Sequence, residues 1–209
     1  RLTNTDTTIT DERISNAVER SQAMSTELTN ELKPLNIAIL TVSDTRGFKQ
    51  DTSGQFLETI DSLRNRLDHP AFTTDVIVGF PGETEAEFDE TVSICRRVGF
   101  SKIHIFPFSP RAGTPAAERP DQVSPAIRKD RVHRLESVQR ELASDFHATL
   151  AGRQLEVLVE RAAADRPGFV RGTDRNYVAV TLPGDDRDMG QLVEIHATSG
   201  NEAGIEGER

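Results

Sequence analysis

The feature that most constrains the fold is a strand–helix–strand pattern in the middle of the chain. Thr74–Phe80 (TDVIVGF) has the continuous apolar character of a strand that is buried on both faces of a parallel sheet. Thr84 and Glu87 form a capping box that predicts a helix over 85–97, and Ile103–Phe108 predicts a second strand. Because strands joined through a helix lie parallel, the pattern predicts an α/β arrangement.

Two further helices and a run of short strands surround this unit. Apolar residues at helical spacing predict a helix over 54–67, and Ser124-Pro125 opens a helix that we expect to reach about Leu150. After this helix the apolar period changes to two, and Pro-Gly and Met-Gly turns separate short strands over 155–195. Closely spaced short strands of this kind predict a small β-barrel.

Net charge, apolar runs and the cysteine count limit which binding partners and cofactors the chain can have. The net charge of -9 gives no general attraction to nucleic acid, so an RNA-binding surface has to be a local basic face. No apolar run approaches the roughly 20 residues needed to cross a bilayer, so we expect a cytoplasmic protein with no membrane partner. The one cysteine, Cys95, lies on the apolar stripe of helix 85–97 and is interpreted as a packed core thiol. We therefore predict no metal ligand and no catalytic residue.

Leu67–Ala117 carries two motifs, TDVIVGFPGET and FPFSPRAGTPAA. They strongly resemble radical-SAM tRNA methylthiotransferases. The segment FSKIHIFPFS favours the MtaB type, which acts on threonylcarbamoyladenosine beside the tRNA anticodon. The isopentenyladenosine type is the alternative. Residues 153–196, with GRQLEVLVE and RNYVAV, resemble the TRAM domain that ends these enzymes. The resemblance implies tRNA as the partner, and a non-catalytic tRNA-binding module is a second hypothesis.

The fold that this resemblance implies is α/β: a partial radical-SAM half-barrel, a long helix and a small all-β barrel of TRAM or OB type. An incomplete half-barrel leaves a sheet edge exposed, so we expect its stability to be marginal. The predicted divisions are 1–23, disordered; 24–54, a separate strand and loop segment; 55–122, the partial half-barrel; 123–151, the linking helix; 152–197, the TRAM domain; and 198–209, a disordered tail.

A second resemblance covers Met24–Gly54, which reads MSTELTNELKPLNIAILTVSDTRGFKQDTSG. This segment is similar to the opening of MoaB-type molybdenum-cofactor biosynthesis proteins. The similarity implies that Ser43, Asp44 and the DTSG turn lie near a molybdopterin site. A molybdopterin-binding protein is therefore a third hypothesis, and a junction between the two families falls near Asp51–Phe56.

The methylthiotransferase resemblance also implies cofactors. The family uses S-adenosyl-L-methionine and 4Fe-4S clusters, one of which is held by a C-x-x-x-C-x-x-C loop. Cluster irons need thiolate ligands, and this chain has one cysteine, so we expect it to hold no cluster alone. A chain that supplies the missing N-terminal half is an expected partner, and activity of this chain by itself is not expected.

Cofactor-binding residues are predicted at the turn after the first strand and on the second strand. By resemblance, Gly79, Gly82 and Glu83 shape the S-adenosyl-L-methionine pocket, and His104 is added from the neighbouring strand. Glycine lets a ligand approach the backbone closely, although a tight strand–helix turn needs glycine equally. Glu83 as the first helical residue can instead complement the helix dipole, and His104 can be a core or surface histidine.

Substrate-binding residues are predicted in two places. Ser109 and Arg111 lie beyond the C-terminal end of the second strand, where barrel enzymes bind their substrates. In the barrel, Tyr177 can stack on a base and neighbouring arginines can pair with phosphate. The alternative is that Tyr177 packs inside the barrel while the arginines are solvated. The predicted RNA-binding residues of the barrel are Arg171, Arg175, Asn176 and Tyr177.

Overall fold

The strand–helix–strand pattern folds as the sequence predicts, in a computed structural model that describes residues 53–209. The predictions made for residues 1–52 lie outside the described residues. The first four elements are helix α1 (Ser53–Arg66), strand β1 (Thr73–Val78), helix α2 (Glu85–Val98) and strand β2 (Lys102–Pro107).

Strands β1 and β2 pair in parallel, with Thr73 opposite Lys102 at one end and Val78 opposite Pro107 at the other. The capping box of α2 is confirmed: the Glu87 amide donates to the Thr84 hydroxyl at 3.2 Å. In return the Thr84 amide donates to the Glu87 carboxylate at 2.7 Å. This exchange fixes where α2 begins after the turn that follows β1.

A 26-residue helix, α4 (Pro125–Leu150), comes after a short helix, α3 (Pro115–Glu118). Contacts of α4 extend to α2, β1 and β2 on one side and to the last two strands of the chain on the other. The helix therefore joins the α/β part to the C-terminal strands. Among the described residues, no helix has the length and hydropathy that a membrane span requires.

The predicted small barrel is present and closes on itself. Five strands are neighbours around it in the order β3, β4, β5, β7, β6. The β5–β7 pair is parallel and the other pairs are antiparallel, and alternate side chains point inward to an apolar core that includes Leu150 of α4. The strands are β3 (Gln154–Ala162), β4 (Phe169–Asp174), β5 (Ala179–Pro183), β6 (Leu192–Asn201) and β7 (Gly204–Glu208).

The prediction of a disordered tail over 198–209 is wrong. Strand β6 continues to Asn201, and β7 pairs with both β6 and β5 to complete the ring. The segment looks polar because only Ile205 is a large apolar residue there, and it is buried in the barrel core. Backbone pairing with strands that are distant in sequence orders this segment, and no local pattern reports such pairing.

One face of the β1–β2 sheet is buried and the other is open. Val78 and Ile103 are buried, whereas Ile77 and Phe106, which are partners in the register, are largely exposed. Within residues 53–209 this sheet contains two strands. A mixed α/β fold with a closed barrel is therefore established, and the half-barrel stays a prediction.

Candidate functional site

The turn after β1 is held by its own groups. The Gly79 amide donates to the Glu83 carboxylate at 2.6 Å, and the Gly82 amide donates to the Asp121 carbonyl at 2.9 Å. Both glycines have positive φ, +73° and +85°, which side chains rarely adopt. The sequence Gly-Phe-Pro-Gly-Glu thus builds a tight turn in which both glycine amides are satisfied within the protein.

Glu83 is also the partner of a buried arginine from α4. Arg131 Nη1 lies 2.5 Å from Glu83 Oε2 and donates to the Glu83 carbonyl at 3.1 Å. The Arg131 side chain is 4% exposed and that of Glu83 is 13% exposed. The guanidinium also lies over the Phe88 ring, 5.4 Å from its centroid. These contacts fix the turn against α4. The sequence did not predict this role of Arg131.

Protein atoms occupy the space beside the two glycines. A Cβ on Gly79 would lie 2.2 Å from Arg128 Cγ, and one on Gly82 would lie 2.6 Å from Asp121 Oδ2. The close approach that requires glycine is thus made by side chains of the chain itself. The ligand-binding roles of Gly79, Gly82 and Glu83 stay predictions.

The other predicted residues of the α/β part are exposed. His104 lies on the open face of β2, opposite Asp75 in the register, so it is a surface histidine rather than a core one. Ser109 and Arg111 are exposed beyond the end of β2. The Phe108 amide donates to the Val78 carbonyl at 2.8 Å, which places both loops at the carboxyl end of the sheet.

Cys95 is buried on α2, 2% exposed, so the interpretation as a core thiol is confirmed. Burial raises the pKa of its thiol to about 11. A cysteine that binds a metal ion or a cluster has to be a thiolate, and this environment opposes the thiolate form. The described residues also contain no group of three or more His, Cys, Asp or Glu residues arranged to hold a metal ion. The cluster implied by the resemblance therefore does not fit them.

The turn between β4 and β5 is built around a buried carboxylate. Asp174 accepts hydrogen bonds from the amides of Asn176, at 2.8 Å, and Val178, at 2.9 Å, and from the Asn176 side chain at 3.3 Å. Burial raises the pKa of Asp174, and these hydrogen bonds oppose that rise. The Asn176 side chain is thereby engaged in shaping the turn, and its role in RNA binding stays a prediction.

Tyr177 stands at the tip of this turn. Its side chain is 76% exposed and its φ is +59°, so the alternative that it packs inside the barrel is wrong. The neighbouring Arg175 is exposed as well, while Arg171 on β4 pairs with Asp165 at 2.8 Å. Proteins that bind single-stranded nucleic acid use exposed aromatic rings together with arginines.

Arg175 also reaches a carboxylate from the loop before β1. Arg153, at the start of the barrel, donates to both oxygens of Asp68 at 2.9 and 3.0 Å, and Arg175 donates to Oδ2 at 3.2 Å. The hydrogen bond from Arg153 is the main cause that lowers the pKa of Asp68. Sequence reasoning missed Asp68 and Arg153, because 85 residues separate the two and no local motif marks either.

The two groups of predicted residues are therefore not one site. Gly79 and Arg111 belong to the carboxyl end of the β1–β2 sheet, whereas the barrel turn meets Asp68, which precedes the amino end of β1. The structure brings Arg175 and Tyr177 together at one place and leaves Ser109 and Arg111 at another.

No protein-family profile matches this chain. It is 38% identical over 154 residues to the tRNA-2-methylthio-N(6)-dimethylallyladenosine synthase of Symbiobacterium thermophilum, covering 74% of this chain and 33% of that protein. The enzyme of the same name from Moorella thermoacetica is 38% identical over 73% of this chain and 34% of its own length. The threonylcarbamoyladenosine tRNA methylthiotransferase MtaB of Bacillus subtilis is 39% identical over 67% and 32%.

The chain thus spans about a third of the length of the relatives it matches. Their names support the resemblance to tRNA methylthiotransferases. Nothing in the comparisons supports the MoaB-type resemblance of Met24–Gly54, and most of that segment lies outside the described residues.

Proposed function

We propose that this chain serves tRNA 2-methylthiolation as the portion of a methylthiotransferase that contacts tRNA. The observation that carries the proposal is the β4–β5 turn, which presents Tyr177 and Arg175 to solvent on a closed barrel. The relatives are named for a tRNA substrate, and an exposed ring and guanidinium are groups with which proteins bind unpaired nucleotides. The barrel corresponds in this proposal to a TRAM domain.

The chemistry of the turn fits a loop of RNA better than a duplex. A tyrosine ring stacks on a base that has left its helix, and a guanidinium pairs with the adjacent phosphate. Because Asp174 fixes the turn with three hydrogen bonds, the backbone that carries the ring is held in place before RNA arrives. Binding therefore loses little backbone conformational entropy at this position.

The substrate nucleoside that we propose is threonylcarbamoyladenosine beside the anticodon. The segment FSKIHIFPFS over 100–109 supports this choice, while the relatives include enzymes named for dimethylallyladenosine as well. Anticodon hairpins that carry one or the other modified adenosine separate the two. Preference for the dimethylallyladenosine hairpin would contradict the assignment.

Radical chemistry is proposed to require cluster ligands that this sequence does not contain. The methylthiotransferase resemblance implies that S-adenosyl-L-methionine and 4Fe-4S clusters supply that chemistry, and this chain offers one buried cysteine for a cluster. Any contribution of Gly79, Gly82, Glu83 or His104 to an S-adenosyl-L-methionine pocket is part of the same proposal. Iron and sulfide analysis after anaerobic reconstitution tests it, and stoichiometric uptake of a cluster would show it to be incorrect.

The RNA proposal is tested by fluorescence anisotropy with a labelled anticodon hairpin. Base stacking is worth about 1–3 kcal/mol, so we expect Tyr177→Ala to weaken binding roughly tenfold. Arg187→Ala is the matched control, because Arg187 is an exposed arginine of the same barrel that pairs with its neighbour Asp185. Binding no stronger than that of a scrambled RNA, or equal loss in both variants, would refute the proposal.

A further inference from the structure

The carboxylate of Asp68 gathers an unusual set of partners. Arg153 binds both of its oxygens and Arg175 binds one of them, at 2.9 to 3.2 Å. The His69 ring lies beside the same group, with Nδ1 3.0 Å from Arg153 Nη1 and 3.3 Å from Asp68 Oδ1. One carboxylate thus binds two arginines of the barrel, and the imidazole of the next residue in its own loop lies beside them.

The ratio of guanidinium groups to exposed carboxylates distinguishes this cluster from the other salt-bridge groups of residues 56–209. Arg171 faces Asp165 and Arg187 faces Asp185, and the pair Arg131 and Arg134 faces several carboxylates. In each of those groups the carboxylates are at least as many as the guanidinium groups. At Asp68 two guanidinium groups share one exposed carboxylate. The other carboxylate that acts on Arg175, that of Asp174, is buried in the turn and accepts the amides of Asn176 and Val178. The guanidinium groups are therefore still open to a second anion from solvent.

The cluster is open to solvent and lies next to the proposed RNA-binding turn. The Asp68 side chain is 66% exposed, and Arg175 directly precedes Asn176 and Tyr177 in the turn. A phosphate beside a base stacked on Tyr177 would therefore lie near Arg175, and Arg153 shares the carboxylate partner of Arg175. Phosphate oxygens accept from a guanidinium fork in the way that carboxylate oxygens do.

We propose that Arg153, Arg175 and His69 form a phosphate-binding site for RNA, and that Asp68 occupies the place of the phosphate when RNA is absent. This inference rests on the proposed tRNA-binding function and adds residues outside the turn to it. On binding, a backbone phosphate takes over the donors that Asp68 holds, and the carboxylate turns to solvent. No covalent step is involved.

Replacement of Asp68 by an RNA phosphate predicts opposite effects on RNA affinity for substitutions of Asp68 and of Arg153. Asp68→Asn removes the competing anion, so the anticodon hairpin should bind about two- to fivefold more tightly at low salt. Arg153→Ala removes a phosphate ligand, so binding should weaken and the slope of log affinity against log salt should fall by about one. Arg187→Ala should change neither the affinity nor the slope.

Each alternative outcome is decisive. Equal or weaker binding by Asp68→Asn would overturn the exchange, and an unchanged salt slope in Arg153→Ala would overturn the phosphate site. If Tyr177→Ala weakens binding while these two variants behave as wild type, the proposed function stands and this inference falls. If the wild-type chain does not bind the hairpin above a scrambled control, both fall. Asp68→Ser, with a thermal melt of every variant, replaces Asp68→Asn if that variant does not fold.

Discussion

At the scale of single residues, the buried pair of Arg131 and Glu83 matters most to the α/β part. A buried ion pair adds little net stability over apolar packing, but breaking it leaves one charge uncompensated in the interior. Here the carboxylate that would be left also receives the Gly79 amide, so the whole turn after β1 depends on it. Arg131 Nε is buried with no partner, so the pair is not fully satisfied either.

We therefore expect Arg131→Met to lower the free energy of unfolding by roughly 3 kcal/mol, measured by urea denaturation. Arg134→Met is the matched control on the same helix, because the Arg134 side chain is 41% exposed and its ion pairs are screened by water. That change should cost at most about 1 kcal/mol. A similar loss in the two variants would show that burial of the Arg131 pair is not the cause.

Cys95 gives a second prediction at this scale, in alkaline solution. Burial raises the pKa of its thiol from 9.0 to about 11, so the folded chain retains the proton over a range in which the unfolded chain releases it. The stability that this difference contributes is complete below pH 9 and is lost as the pH rises to about 11. The free energy of unfolding should fall more steeply across that window in the wild type than in Cys95→Ala.

Urea titrations of both proteins on either side of the window provide the measurement. The variant corrects for other groups that titrate in the same range. Parallel profiles for the two proteins would mean that the thiol is less shielded from water than its position on α2 implies.

At the scale of elements, the β4–β5 turn combines a stable frame with a strained tip. Tyr177 has a left-handed backbone, which costs a residue with a Cβ about 1–2 kcal/mol. Residues kept in such conformations often serve function rather than stability. Tyr177→Gly should therefore raise the free energy of unfolding by about 0.5–1 kcal/mol and weaken hairpin binding roughly tenfold.

Chemical denaturation and RNA anisotropy on the same preparations test this trade-off. Tyr177→Asn is the control, because asparagine tolerates the left-handed region but has no ring to stack. It should bind RNA as weakly as the glycine variant. Wild-type binding by Tyr177→Gly would show that the tip is not used.

The elements that the sequence predicts well are those with local signals. The capping box of Thr84 and Glu87 and the Ser124-Pro125 start mark helices that the structure places within one or two residues of the expected bounds. Strand β7 has no such signal, since its order depends on β5 and β6. The same reason explains the site: Tyr177 and Arg175 are predicted from the resemblance carried by RNYVAV, whereas the contact of Arg175 with Asp68 spans 107 residues.

At the scale of the whole molecule, the two halves of the described chain differ in how their strands are protected. Every strand of the barrel has a partner on both sides, while β1 and β2 pair only with each other within residues 53–209. Amides at a sheet edge exchange by local opening, and those in a closed barrel need a larger unfolding event. An exposed edge is also a site for association between chains.

Hydrogen exchange should therefore be slowest in the barrel strands and faster in β1 and β2. Helix α4, which contacts both halves, should show a change in protection along its length. The control is a thermal melt followed by far-UV circular dichroism. A single cooperative transition with uniform protection would contradict the expectation that the α/β part is marginally stable.

The position of Tyr177 has a practical consequence for spectroscopy. The chain contains no tryptophan and one tyrosine, so its intrinsic fluorescence comes from the ring at the tip of the β4–β5 turn. Emission from that ring is a native optical reporter of whatever covers the tip, without any label. A base that stacks there would quench it, and the signal would follow occupancy in real time.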